Sequence, residues 1–453
     1  MQRETYPEHE LIAQFLKDNN YHQTLAEFEK EHGKPITRRL LNNSETLSHI
    51  IEDRLQYNSI NEKLKNSCIN EELPENLEKI AKTRFASWPS PCPRVPHLLR
   101  MQSLILSSCY DKHHEVVYFT TNDSHIFIKQ GEDEELVKFK SPEIIRKVMV
   151  IDDDAGVVML GMSGTLYLKE SVTLVGISSI KTDFRFVVDA QYIKFNEKNY
   201  IVVLAWNGTV KLITLKQQEF QLVSEMKLSQ QSTCFALTVY QNELILVLGK
   251  LESTLLEVYT LKGEAFSPSY KISINDAEFT VSSFMPRCMI ISQSLPSSID
   301  EVPLIAVATS HEPYMRIIIV SLEEFQNRKN CAFSISRLQI IRNSKTTSPQ
   351  DKFSQPIISW RLGSRTQLEE NQNRIFGLWI MGDDGVIRGL DVVDNKVVIE
   401  LKETEGAKEE KEKKGHTGHN GRIKNFISYI DSNGEEILLS AGVDKRVILW
   451  RVD

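Results

Sequence analysis

The chain has 453 residues, 41% of them hydrophobic and 25% charged, with a formal net charge of −7. That length allows two or three packed units, and the negative balance argues against broad nucleic-acid binding, which shows as a basic surface. The opening MQRETYPEHE has no basic region followed by an apolar stretch, and no apolar run reaches the 18 or so residues of a membrane span. The six cysteines, at 68, 92, 109, 234, 288 and 331, include no CxxC pair. A reducing compartment is therefore expected, cytoplasm or nucleus, with neither a disulfide framework nor a zinc site.

Residues 11–31, LIAQFLKDNNYHQTLAEFEKE, carry two apolar stripes at helical spacing. Leu11, Ile12, Phe15 and Leu16 form the first. Tyr21, Thr24, Leu25 and Phe28 form the second, which ends near Gly33 and Pro35. Asn20 between them suits a left-handed turn position, because asparagine tolerates positive φ. Two such helices make a hairpin too small to bury its own apolar surface, so it needs a partner. The spacing of Leu11-Ile12, Phe15-Leu16, Tyr21, Thr24, Phe28 and Glu31 resembles the LisH motif, with Phe15 in place of Tyr, Leu25 in place of Ala and Asn20 in place of the usual Gly. The resemblance implies homodimerisation through Leu11, Ile12, Phe15, Leu16, Tyr21, Thr24, Leu25 and Phe28. The alternative is a hairpin docked on the protein's own main domain.

Residues 44–66 continue the helical pattern. Ser44 can cap the start, and Leu47, Ile50, Ile51, Leu55, Ile60 and Leu64 give an apolar face. A short helix is expected at PENLEKI (74–80). The four prolines of WPSPCPRVP (88–96) then exclude helix and predict a stiff connection.

From about residue 97 the periodicity becomes that of strands, and a unit recurs in which two β-rich runs flank a tight polar turn. The turns fall near residues 123, 163, 208, 251, 312, 384 and 444, with NDS, SG, NG and DDG supplying residues that accept positive φ. The first three steps match the length of a four-stranded blade, and the longer later ones leave room for loops such as 292–303 and 342–356. The fold expected is mainly β: a seven-bladed propeller, with an N-terminal α-helical hairpin and helical extension. The expected domains are 1–35 for the hairpin, 36–81 for the extension and linker, and 82–453 for the propeller.

The final unit, GHNGRIKNF…LLSAGVDKRVILW, resembles a WD repeat. Gly418-His419 matches its start, Ser440 and Asp444 match its buried polar positions, and Trp450 ends its strand. The resemblance implies that His419, Ser440, Asp444 and Trp450 form a structural hydrogen-bonded tetrad rather than a catalytic set. Asp391 echoes the terminal Asp of the motif in the preceding unit. The chain stops just after the third strand of the last blade, so the closing strand is expected from the N-terminal side. The spacing of 26 from His97 to Asp123, against 25 from His419 to Asp444, places His97 at the start of blade one and makes residues 82–88 the candidate closing strand.

No P-loop, GxSxG, HExxH or dinucleotide fingerprint is present. The histidines of DKHHE (111–115) and GHTGH (415–419) lack partners at metal-ligand spacing, and IDDDAG (151–156) reads as a solvated turn. The balanced charge run 402–414 reads as a solvated loop. Trp206, His311, Tyr314, Asp383 and Asp384 fall in turns at the rim of the central channel and form the candidate partner-binding face. The expected function is a non-catalytic dimeric scaffold of a multiprotein complex, with no cofactor, no metal, no membrane and no direct nucleic acid. Resemblance to LisH–WD-repeat proteins offers ubiquitin-ligase, chromatin or corepressor, and dynein or microtubule settings. The alternatives are a monomeric propeller recognising a modified peptide and a propeller hydrolase.

Overall fold

Asn20 is where the chain first reverses, and its backbone adopts the left-handed conformation at φ 61°. In a computed structural model of the chain, α1 (Pro7–Asp18) ends there and α2 (His22–His32) begins two residues later. Tyr21 N–H donates to Leu16 C=O at 2.8 Å and Asn20 N–H to Lys17 C=O at 3.0 Å, so the last turn closes as a Schellman motif. The Asn20 side chain can sit at positive φ at modest cost, which explains why it serves in place of glycine. Gly33, at φ 78°, ends α2 in the same way.

The structure describes residues 7–33, 35–36, 47, 51, 73–99, 101, 103–131, 136–152, 156–275, 284–292, 302–322, 334–337, 339–372, 374–402 and 418–452. Two compact units result, Met1–Leu73 and Pro74–Asp453. The helix expected at 44–66 lies outside the described residues apart from Leu47 and Ile51, and so does the charge run beyond Lys402.

The second unit is a seven-bladed β-propeller. Its blades are antiparallel sheets, apart from a short parallel strand, Ile335–Ser336, added outside Ala265–Ser273 in blade four. Their first strands are Ile105–Asp111, Ile145–Val150, Val187–Phe195, Ser232–Tyr240, Pro286–Ile291, Ile357–Trp360 and Ile423–Ile430. Each first strand touches the first strand of the blade on either side, and blade seven meets blade one, so the ring is closed. All seven turns read from the sequence join the second and third strands of a blade. The second and third strands are buried almost throughout, as in Leu304–Thr309 of blade five, because both faces pack against neighbouring blades. Among the described residues, six hydrophobic clusters occupy interblade layers, giving the core the shape of a ring rather than a centre.

The closing strand differs from the expectation. Val95–Leu99 pairs antiparallel with Val447–Arg451 and completes blade seven, with His97 opposite Leu449. Residues 82–84 instead finish helix α3 (Glu75–Arg84), and 82–88 make only one bridge, Phe85 to Ile375. The strand's position at the sheet edge explains why Pro96 is tolerated there, since its missing N–H would face outward. His97 is exposed, so its spacing to Asp123 has no structural meaning. A second difference is that residues 342–349, read as part of the loop 342–356, belong to Ile340–Pro349, the outer strand of blade five. Its Ser344, Thr346 and Ser348 alternate onto one buried face.

Between α3 and the closing strand, the proline-rich segment runs over blades six and seven and is fastened by Trp88. The Trp88 N–H donates to Asp391 Oδ2 at 2.7 Å, its ring packs edge-on against Trp379 at 4.9 Å, and the Arg361 guanidinium lies 4.2 Å from the ring centre. Gly377 and Gly389 leave the groove in which the indole lies, because a Cβ on either would overlap it. Gly389→Ala should therefore lower the unfolding free energy by about 1–3 kcal/mol through overpacking. A urea midpoint equal to wild type would show that the indole is not held there.

Candidate functional site

In a four-stranded up-and-down blade, the turn from second to third strand and the connection to the next blade lie at the same end. This face of the ring carries Met162, Trp206 and Val443 in turns, Tyr314 just after one, and Phe186 and Phe353 in interblade connections. All six are exposed, Phe353 at 75%, Phe186 at 65% and Trp206 at 58%. Isolated exposed apolar residues are ordinary, and six on one face make it a candidate surface.

A cavity of about 630 Å³ opens on this face, within the size range of ligand-binding clefts. The first strands of blades two to five and the connections before blades three and six build its wall. Phe186 and Trp206 stand together because Trp206 N–H donates to Phe186 C=O at 2.8 Å. Arg146 spans from blade two to the Val187 and Val188 carbonyls of blade three, the latter at 3.1 Å. Arg287 donates to the Asp351, Lys352 and Ser354 carbonyls at 2.6, 2.5 and 2.9 Å. Asp189 is neutralised by Lys147 at 2.5 Å. Two thiols also line the wall. Burial pushes Cys288 up to about 11 and raises Cys234 as well, so neither is a thiolate at neutral pH.

The five residues read from the sequence as a binding face divide into two kinds. Trp206 and Tyr314 are exposed, and Trp206 lines the cavity. The two carboxylates are already engaged: Asp383 with Arg422 at 2.5 Å, and Asp384 with Arg388 at 2.6 Å. His311 is half-buried against Phe284, with Nδ1 2.7 Å from Thr309 Oγ1. Arg146, Phe186 and Arg287 escaped sequence reasoning because they come from different blades; only an exposed Trp in a turn is visible one residue at a time.

Burial and the nearby Arg316 depress His311 to about 4. An unfolded histidine titrates near about 6.5, so below that pH the unfolded chain takes up a proton that the folded chain refuses. Stability is thus complete above about pH 6.5 and falls as pH drops toward 4. The urea midpoint should fall over this window, and His311→Gln should flatten part of the fall. An unchanged slope would contradict a neutral His311.

In the last blade His419 Nε2 lies 2.8 Å from Ser440 Oγ and Nδ1 lies 3.2 Å from Asp444, while Trp450 Nε1–H donates to Ser440 Oγ at 2.9 Å. Ser440 and Trp450 are almost fully buried, and burial holds His419 below its ordinary range despite the Asp444 carboxylate. Blade two solves the corresponding problem differently, with Glu143 accepting from Ser163 and Tyr167. Asp391 accepts from Trp88, Val393 and Asp394 N–H and so ties its turn to the proline-rich segment. Among the described residues no cluster of histidine, cysteine, aspartate or glutamate could hold a metal, and no helix is long and apolar enough to cross a membrane.

The hairpin forms the other candidate surface. Leu11, Ile12, Phe15, Leu16, Leu25 and Phe28 remain only half-buried, Thr24 is exposed, Tyr21 is 53% exposed, and α2 contains no buried residue. His9 packs edge-on against Phe28 and His32.

The family model described as UCP007778, beta-propeller domain, matches residues 67–451. The chain belongs to this family. The LisH domain of the same family matches residues 9–38, which includes the whole of α2 and the turn at Asn20. The chain is also similar to the protein described as "Uncharacterized protein YGR117C" of Saccharomyces cerevisiae. The two are 23% identical over 446 residues, 88% of this chain and 93% of the relative. A LisH hairpin joined to a propeller suggests a protein-interaction module.

Proposed function

We propose that the chain is a non-catalytic dimeric scaffold, in which residues 1–35 self-associate and the propeller, from about residue 82 to 453, binds protein partners. The observation that carries this reading is the hairpin itself: two apolar stripes at LisH spacing that stay half-exposed, with Tyr21 at 53%. Burying such stripes against a second copy stabilises by roughly 25 cal/mol per Å² of apolar surface removed from water. Paired hairpins would bring two propeller faces into one assembly, where weak contacts gain through effective concentration. His419, Ser440, Asp444 and Trp450 are then scaffold, since Ser440 Oγ is engaged by both the imidazole and the indole. A cytoplasmic or nuclear complex suits the scattered free cysteines, with ubiquitin-ligase, chromatin and dynein-linked assemblies as the settings that LisH–WD-repeat proteins offer. The second reading, a monomeric propeller that recognises a modified peptide, draws on the cavity at the channel mouth.

Affinity capture from native extract, with full-length wild type and Tyr21→Ala/Phe28→Ala in parallel, tests the proposal. Recovery of the untagged copy and a stoichiometric set of subunits only with wild type is the expected result. Identical sets from both baits would leave the hairpin no assembling role.

A further inference from the structure

The two guanidiniums of the channel-mouth cavity are held by carbonyls rather than by ion pairs, although Asp189 attracts Arg146 and Glu312, Asp351 and Asp383 attract Arg287 from beyond ion-pair distance. Arg146 and Arg287 both donate to main-chain carbonyls, and among the described residues neither forms an ion pair with a carboxylate. A carbonyl satisfies a donor but cancels no charge, and each guanidinium, with five N–H groups, keeps donors to spare. Arg185 adds a third cation at the rim, lying over the Phe186 ring at 5.7 Å. Among the described residues, the one carboxylate in the wall, Asp189, is taken by Lys147. With two arginines against one carboxylate in its described lining, the aromatic-walled cavity is locally positive in a chain of net charge −7, and this is what an acidic ligand would meet.

The surroundings of the cavity define the size of that ligand. Met162, Tyr314, Phe353 and Val443 are exposed on the same face beyond its wall, a spread that a small anion cannot cover and a polypeptide can. Resting on the scaffold reading of this face, we propose that the cavity takes an acidic segment of a partner protein. One Asp or Glu carboxylate is clamped between Arg146 and Arg287, and a neighbouring aromatic or aliphatic side chain packs on Phe186 and Trp206.

A phage-displayed library of random 12-residue peptides, panned on the full-length protein, tests this. The enriched peptides should carry Asp or Glu beside an apolar residue. A fluorescein-labelled representative should lose at least tenfold in affinity on Arg146→Gln/Arg287→Gln and on Trp206→Ala, and should weaken from 50 to 300 mM NaCl. Because Arg146 also ties blade two to blade three, urea midpoints are compared in parallel. Trp206→Ala removes only an exposed side chain and keeps the test valid if the arginine variant unfolds. Enrichment of peptides without acidic residues, or equal binding to a folded arginine variant, overturns the acidic specificity. If such peptides still depend on Trp206, the face remains a partner surface; if Trp206→Ala leaves them unaffected, the reading of the face fails too. Absence of any enriched peptide, with labelled inositol hexakisphosphate bound instead, would make the cavity a small-anion site and overturn the proposal.

Discussion

Glu436→Ala is expected to cost the propeller about 3–5 kcal/mol, the loss associated with stranding one half of a buried ion pair. Glu436 and Arg361 are 2% and 0% exposed in their side chains and lie 3.3 Å apart. The carboxylate is also where two blades are tied together: it accepts from the Trp379 indole and Ser428 hydroxyl at 3.1 Å and from Leu362 N–H at 3.2 Å. Removing it leaves the guanidinium and the indole N–H without their acceptor in a dry interior, which costs more than the net worth of the pair. Arg361 also stacks on Trp88 and reaches the Pro91 carbonyl, so the proline-rich segment leading into the closing strand should loosen as well. Two readouts follow: a lower urea midpoint, and faster proteolysis between residues 84 and 94. Arg361→Met/Glu436→Leu should recover much of the loss, because an apolar pair of similar volume carries no stranded charge. A single-variant loss under about 1 kcal/mol would show that the network contributes little.

The hairpin substitutions should act with no such effect on the propeller. Tyr21→Ala/Phe28→Ala deletes two large apolar side chains that are not fully buried within the chain, so the cost should fall on association. Large apolar anchors at an interface are each worth about 2 kcal/mol or more when truncated, and because both copies carry the two substitutions the dimer constant should shift by more than about three orders of magnitude. The expected product is a monomer with the wild-type urea midpoint and circular dichroism spectrum. Persistent dimers would place the contact elsewhere, and a lowered midpoint would mean that these side chains support the propeller.

How plainly an element shows in the sequence follows the number of partners it has. Blade hairpins were legible because a buried strand must be apolar on both faces and its turn needs positive φ, as at Gly164 and Gly208. The Asn20 reversal was legible for the same reason. Outer strands were not: Ile340–Pro349 has a single neighbour in its sheet and one outward face, so a polar sequence satisfies it. Val95–Leu99, with a proline and an exposed histidine, looks like linker although it closes the ring. The Arg361–Glu436 pair is 75 residues apart in sequence and shows no local pattern. The cavity is less visible still, because Arg146, Phe186 and Arg287 converge only once the ring has closed.

Self-association is the claim on which the scaffold account depends. Sedimentation equilibrium of the purified full-length protein at low micromolar concentration, in physiological salt, measures it without a partner or a probe. The account predicts twice the chain mass of 52.0 kDa, reverting to one chain in Tyr21→Ala/Phe28→Ala. A wild-type mass of one chain across the concentration range would contradict it.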